Sequence, residues 1–281
     1  MKVAVIGVGQ LGSDLVKVFD DVIPLTHSDI EVTDFSSCKI LKDIRPDVII
    51  NTAAYHKTDE CEDYPDKTLL VNSVGARNIA KIANEIDAIN VYISTDYVFD
   101  GTKGSPYVEN DVPNPINAYG ISKYAGELFT RHISNKYYVI RVSSLFGAAG
   151  ASGKGGNFVE TMITKAKSGS ELNVVNDITM SPTYTKDAAM AIKKIIEKNL
   201  PYGVYHVTND GFCTWYVFAK AIFEIVGISA KLHPITSDKY PTKAKRPRNS
   251  SLSIEKIRSY GINMRHWKDA LKAYLIEKGY I

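Results

Sequence analysis

Nearly unbroken apolar runs alternating with helical patterns are the feature that most constrains what this chain can fold into. The runs are KVAVIG (2–7), VIPL (22–25), DVIINTAA (47–54), NVYISTDYVF (90–99) and KYYVIRVSSLF (136–146). A strand with one wet face alternates apolar and polar residues. These do not, so both faces of each strand must be covered. Between them lie stretches with helical spacing: the residues after Gln10, a run containing Leu69, Leu70, Ile79, Ile82, Ala83 and Ile86, and about 117–133. The alternation predicts a doubly wound parallel α/β sheet of Rossmann type, whose ligands bind beyond the carboxyl ends of the strands.

The pattern changes after Phe146. GAAGASGKGGN (147–157) is glycine-rich with little to pack, which suits a mobile lid or crossing segment. Helical patterns follow near 158–167, 186–198 and 215–226, the last with Thr214 as its N-cap. A strand-like GVYHVTN (203–209) precedes the third of these, and a helix with one apolar face closes the chain at 267–278. The expected division is a cofactor-binding Rossmann domain over 1–146, with segments near 172–208 returning to it. A smaller C-terminal substrate-binding lobe is expected mainly from 147–171 and 209–281.

Composition removes several function classes. A net charge of +3 spread over 281 residues gives no basis for nucleic-acid binding. No apolar run reaches the ~18 residues of a membrane span, and the N-terminus enters a strand directly, so the expectation is a cytoplasmic protein with no membrane partner. Cys38, Cys61 and Cys213 are few and far apart, which reads as buried thiols and not as a disulfide framework or zinc site; no metal is expected.

Three stretches carry chemistry. GVGQLG places Gly7, Gly9 and Gly12 in the G-x-G-x-x-G pattern that brings backbone against a pyrophosphate at a helix N-terminus. At the end of the second run, PLTH puts Leu25, Thr26 and His27 where an acid would bind a ribose 2′-hydroxyl; its absence leans toward NADP or dual use with NADH. Tyr119 and Lys123 form Y-x-x-x-K, one helical turn apart, where an ammonium can lower the phenol's pKa while the phenol exchanges a proton with a carbonyl oxygen. The spacing recurs at Tyr216/Lys220 and Tyr274/Lys278, but only Tyr119 follows a strand ending in a hydroxyl, Ser94-Thr95, at the ligand edge of the sheet. The other two pairs are expected to pack or face water.

With these residues assembled, the chain resembles the extended short-chain dehydrogenase/reductases and, within them, the dTDP-4-dehydrorhamnose reductase family. Matching stretches run in the family's order: GQLG (9–12), TDF (33–35), RPDVIINTAAY (45–55), VNSVGA (71–76), STDYVFDG (94–101), YGISK (119–123), NFVETM (157–162), SPTY (181–184), GVYHVTNDG (203–211) and RPRNSSL (246–252). The resemblance implies catalysis by Thr95, Tyr119 and Lys123. It implies that Gly7, Gly9, Gln10, Leu11, Gly12, Asp34, Phe35, Ala53, Ala54, Tyr55 and Asn72, with Tyr119 and Lys123, hold NADPH. The nucleotide-sugar is expected near Thr95, Asp96, Tyr119, Asn157, Arg246 and Asn249, with Arg246 on the diphosphate. A homodimer is left open as the assembly.

The chain departs from the family pattern in three places. The glycine turn is one residue shorter, RVSS (141–144) has serine where R-x-S-W is usual, and Ile178 and Met180 replace glutamine and glycine before the PT dipeptide. Nucleotide-sugar dehydratases resemble one another in an Asp-Glu after the threonine, whereas Asp96 and Tyr97 follow Thr95 here, which removes the base that dehydration needs. Two alternatives stay open: an NADP-binding regulatory subunit like that of methionine adenosyltransferase, and a reductase of another nucleotide-sugar. KAKRPR (243–248) overlaps a family match at 246–248 and is read as phosphate-binding, not nucleic-acid-binding.

Overall fold

The apolar runs become the buried centre of a computed structural model that describes residues 1–150 and 156–281. β1 (Val3–Ile6), β2 (Val22–Leu25), β3 (Val48–Asn51), β4 (Ile89–Thr95), β5 (Tyr137–Val142) and β6 (Gly203–His206) form one sheet in the order β6-β5-β4-β3-β1-β2. Every pairing is parallel, as the absence of alternation requires. The strand order reverses between β1 and β3, so the ligand crevice of such a sheet opens beyond Ile6 and Asn51.

Helices cover both faces. α1 (Gln10–Val18) and α5 (Thr185–Glu197) bury Leu11, Leu15, Ile192 and Ile195 against one. α2 (Gly75–Glu85) buries Ile79, Ile82 and Ala83 against the other, and α3 (Ala118–Ile133) packs beside it. A separate core gathers α4 (Phe158–Lys167), α6 (Trp215–Val226) and α7 (Trp267–Glu277) around Phe146, Ile163, Phe218, Trp267 and Tyr274. Thr214 caps α6, accepting from the Val217 amide as its position suggests.

Three runs expected to be continuous are interrupted. The 136–146 strand leaves the sheet at Ser144, which takes φ +44°; Leu145–Phe146 then pairs with Thr183–Tyr184 instead and enters the second core. The helical pattern around Leu69–Ile86 contains a π-helical turn, Leu70–Val74, a local widening that re-aims the side chains on it. The 90–99 strand likewise stops at Thr95, where the Thr95 hydroxyl accepts from the Tyr97 amide and starts a 3-10 turn. Within the glycine-rich 147–157 segment, residues 151–155 lie outside the described residues.

Candidate active site

The turn after β1 depends on glycine. Gly7 takes φ +86°, and a Cβ on Gly12 would lie 1.9 Å from the Gly7 carbonyl oxygen, so only glycine lets α1 start this close to β1. Thr52, just beyond β3, steadies the turn by donating to the Gly7 carbonyl at 2.5 Å. Gly9 caps α1 without a side chain, leaving first-turn amides for an anion. Leu11 is buried in the core beneath, while the buried Gln10 Oε1 has no hydrogen-bond partner among the described residues. A glycine cradle beside an orphaned acceptor suits a dinucleotide, whose phosphates take the amides and whose hydroxyl or amide groups can donate to Gln10. Gly12→Ala is expected to push α1 off β1, costing roughly 1–3 kcal/mol and abolishing dinucleotide binding in a fluorescence titration.

The walls of this crevice are held by side chains that spend their own hydrogen bonds on the protein. Asn51 Oδ1 accepts from the Ala53 amide. Asn72, on the π-helical turn, accepts from the Tyr55 amide at 2.8 Å and donates to the Tyr55 carbonyl and to Ser122 Oγ on α3. It therefore clamps the 53–55 segment, Ala54 included, to α3. Asp34 is exposed and caps the short helix Phe35–Cys38 through the Ser36 amide. The tip of β2 is not free of acid: Asp29 folds back so that its carboxylate accepts from the Thr26 amide and hydroxyl. The sequence interval alone did not suggest that return, whereas His27 is solvent-exposed beside Glu31 as a loop histidine should be.

Thr95, Tyr119 and Lys123 come together beyond β4. Asn117 caps α3 by accepting from the Gly120 amide at 2.7 Å, and its amide nitrogen donates to the Lys245 carbonyl. Glycine at 120 lets the first turn of α3 close on the end of β4, since a Cβ there would sit 2.1 Å from the Tyr97 carbonyl oxygen. The Tyr119 ring meets Tyr97 edge-on at 6.1 Å, and Lys123 Nζ lies 4.1 Å over the Tyr92 ring. Burial pushes the Tyr119 phenol up, the Asp96 charge adds to that, and hydrogen bonding with Thr95 works against it. The expectation that Lys123 would dominate and lower the phenol is thus reversed. Burial itself brings the Lys123 ammonium down to about 7, with Glu127 opposing.

The remaining expected residues divide. Arg246 reaches this cluster, lying 5.8 Å over the Tyr97 ring and pairing with Asp59 at 3.0 Å. Its loop is strapped to the helix Thr58–Asp63 by the Ala244 amide on Asp59 and by a Lys243–Asp63 ion pair. Asn249 accepts from the Ser251 amide and hydroxyl and bridges Thr179 through its backbone. Asn157 belongs to the second core: it caps α4, accepting from the Glu160 amide, and donates to the Gly147 carbonyl and the Tyr274 hydroxyl. The other Y-x-x-x-K pairs are structural, with Tyr274 buried against Asn157 and Glu160 and Lys220 pairing Glu224 on the surface.

Residues 1–279 match the family model described as the RmlD substrate binding domain. The chain belongs to that family. The spore coat polysaccharide biosynthesis protein SpsK of Bacillus subtilis (strain 168) is 41% identical over 283 residues, covering 99% of this chain and 98% of that protein. The dTDP-4-dehydrorhamnose reductase of Aggregatibacter actinomycetemcomitans is 37% identical over 282 residues and 94% of each chain. The crystal structure of dTDP-4-dehydrorhamnose reductase from Bacillus anthracis str. Ames in complex with NADP superposes with a TM-score of 0.93 at 39% identity, over 99% of this chain and 100% of that one. The α/β Rossmann-type fold and the family to which the motifs pointed are both borne out.

In this RmlD-family chain Asp96, expected near the nucleotide-sugar, also has hydroxyl partners in Ser143 and Ser250 that the sequence did not suggest. The carboxylate is 3% exposed and accepts from Thr95 Oγ1 at 3.0 Å and Ser143 Oγ at 2.9 Å. Burial raises it to about 6, against the pull of Ser250, Ser143 and Thr95. The folded chain therefore holds this proton more tightly than the unfolded chain. Its contribution to stability is present below about pH 4, the unfolded value, and is lost as pH rises to about 6. Asp96→Asn is expected to be the more stable protein at pH 7.5, by up to about 3 kcal/mol, and to flatten the stability profile between pH 4 and 6 in urea titrations. Among the described residues no group of three or more His, Cys, Asp or Glu side chains could hold a metal ion, and no helix is long and apolar enough to cross a membrane.

Proposed function

We propose that the chain is an NADPH-dependent reductase of a 4-keto-6-deoxy nucleotide-sugar, with dTDP-4-dehydrorhamnose as substrate and dTDP-L-rhamnose as product. The observation that carries the reading is the packing of Tyr119 and Lys123 of α3 against β4, which ends in Thr95 on the same carboxyl edge of the sheet as the glycine turn after β1. The names of two relatives reported above, both reductases, agree with it. Gly7, Gly9, Gln10, Leu11 and Gly12 would hold the dinucleotide's diphosphate side, and Asp34, Phe35, Ala53, Ala54, Tyr55 and Asn72 its remaining wall. Bound NADPH supplies the hydride.

The protein's own part is proton management. Tyr119, raised by burial, stays protonated at neutral pH and is fit to donate its proton to the oxygen that gains charge. Thr95, whose hydroxyl proton now points to Asp96, turns that proton to the same oxygen. Lys123, whose ammonium burial brings down, is placed to steady the cofactor ribose. Arg246 exchanges Asp59 for the sugar diphosphate, since guanidinium pairs bidentately with phosphate oxygens. Arg246→Ala should therefore raise KM for the nucleotide-sugar about tenfold or more, with KM for NADPH little changed. An unchanged nucleotide-sugar KM would remove Arg246 from this role.

The deciding experiment is NADPH oxidation with dTDP-4-keto-L-rhamnose beside other 4-keto nucleotide-sugars. Turnover limited to one of the others would move the substrate but keep the chemistry. Protein that binds NADPH yet oxidises it with none of them would support the regulatory-subunit reading instead.

A further inference from the structure

The buried charges beneath the candidate centre have no part in the steps above. Glu127 lies one helical turn after Lys123 on α3 and is fully buried. Its carboxylate forks onto Arg141 of β5, receiving Nε at 2.9 Å and Nη2 at 2.7 Å. Ser94, the residue before Thr95 on β4, donates to the same carboxylate at 2.5 Å. Ser94 and Arg141 are register partners across β4 and β5, so one side chain of α3 grips two strands at the level where Thr95 begins. Arg141 is almost fully buried as well, with its guanidinium 5.0 Å from the Phe99 ring and near His206.

A buried ion pair of this kind does not by itself favour the fold over a well-packed apolar pair. Its place one turn from Lys123 suggests a different use. Resting on the reading of Thr95, Tyr119 and Lys123 as the reaction centre, we propose that Glu127 is a positioning residue: it fixes Lys123 on α3 against Thr95 on β4 and serves as the counter-charge of the Lys123 ammonium.

The groups facing Lys123 are few. β4 contributes the Tyr92 ring, whose hydroxyl is spent on the Asn72 carbonyl. α3 itself contributes the charge of Glu127, and β5 contributes Arg141 through Glu127. Beyond Arg141 stand His206, held neutral by burial and by that guanidinium, and Glu109, which accepts from the His206 amide. Against the burial that drives Lys123 toward its neutral form, Glu127 is the charge that works the other way. Removing it leaves the amine over the Tyr92 ring with the effect of burial unopposed by that charge.

The test is Glu127→Gln, which keeps shape and removes charge, alongside Glu127→Gln/Arg141→Gln, which avoids leaving a lone buried guanidinium. Lys123 is followed by the pH titration of its 13Cε signal in 13C-lysine-labelled protein, and turnover by NADPH oxidation across pH. The expected result in the single variant is a Lys123 midpoint lowered by about one unit. Above about pH 8 kcat should drop about tenfold and recover as pH is lowered, with KM for the nucleotide-sugar held. If the single variant does not fold, the double variant should shift in the same direction.

A folded variant with an unmoved Lys123 midpoint, or a loss of kcat equal at every pH, would overturn the proposal and leave Glu127 a structural pair. Wild-type protein that binds NADPH without oxidising it would defeat the reductase reading instead. The Lys123 titration would still decide the role of Glu127 in that case.

Discussion

Tyr119→Phe is expected to lower kcat for NADPH oxidation by about 10²–10⁴-fold, the range that a positioned proton donor contributes, while NADPH affinity and thermal stability stay near wild type. The substitution removes one hydroxyl and leaves the ring. The edge-on contact with Tyr97 at 6.1 Å needs only that ring. The start of α3 is set by Asn117 and Gly120, neither of which depends on the phenol. Stopped-flow absorbance for turnover and fluorescence titration for NADPH separate the two effects. A variant that kept its kcat would take Tyr119 out of the chemistry and return it to a helix-face tyrosine.

Arg141→Met should cost about 3–5 kcal/mol of stability, because among the described residues it leaves the buried Glu127 carboxylate with Ser94 as its one hydrogen-bond donor. Urea denaturation at pH 7.5 measures it. A second change, Glu127→Met in the same protein, should recover most of that loss, since two apolar side chains can fill the space of a buried pair. Exposed pairs make the comparison: breaking Lys220–Glu224, with both side chains in solvent, should change stability little. If both substitutions behaved alike, burial would not be what makes the Arg141 pair costly to break.

What the sequence disclosed and what it concealed follow the reach of the interactions involved. The parallel sheet was legible because burial on both faces is written into each strand. The start of α3 was legible for a similar reason, since Asn117 caps a turn three residues away. The break at Ser144 was not, because the chain leaves the sheet there to pair with Thr183–Tyr184, a partner that local apolar patterning cannot name. Asn157 sits in a family motif, yet its hydrogen bonds to Gly147 and Tyr274 make it a cap and core anchor; only the three-residue spacing to Glu160 hinted at the cap. The reversed shift of Tyr119 was out of reach of Y-x-x-x-K spacing, which brings a lysine near a tyrosine but does not report how much water either has lost. Asp29 and Glu127 were missed for a plainer reason. Their meaning depends on which neighbours the fold returns to them.

The single amide of Asn117 has a wider consequence. Its oxygen begins the helix that presents Tyr119, while its nitrogen holds the carbonyl of Lys245, 128 residues further along the chain. The start of that helix is thus a junction through which the far loop and the Tyr119 phenol share one rigid group. Whatever draws Arg246 away from Asp59 pulls on the same loop one residue from Lys245. Arrival of a ligand at the distal strap and the attitude of the phenol are in this way parts of one mechanical linkage, and the glycine amide at position 120 is where hydrogen exchange would sense it.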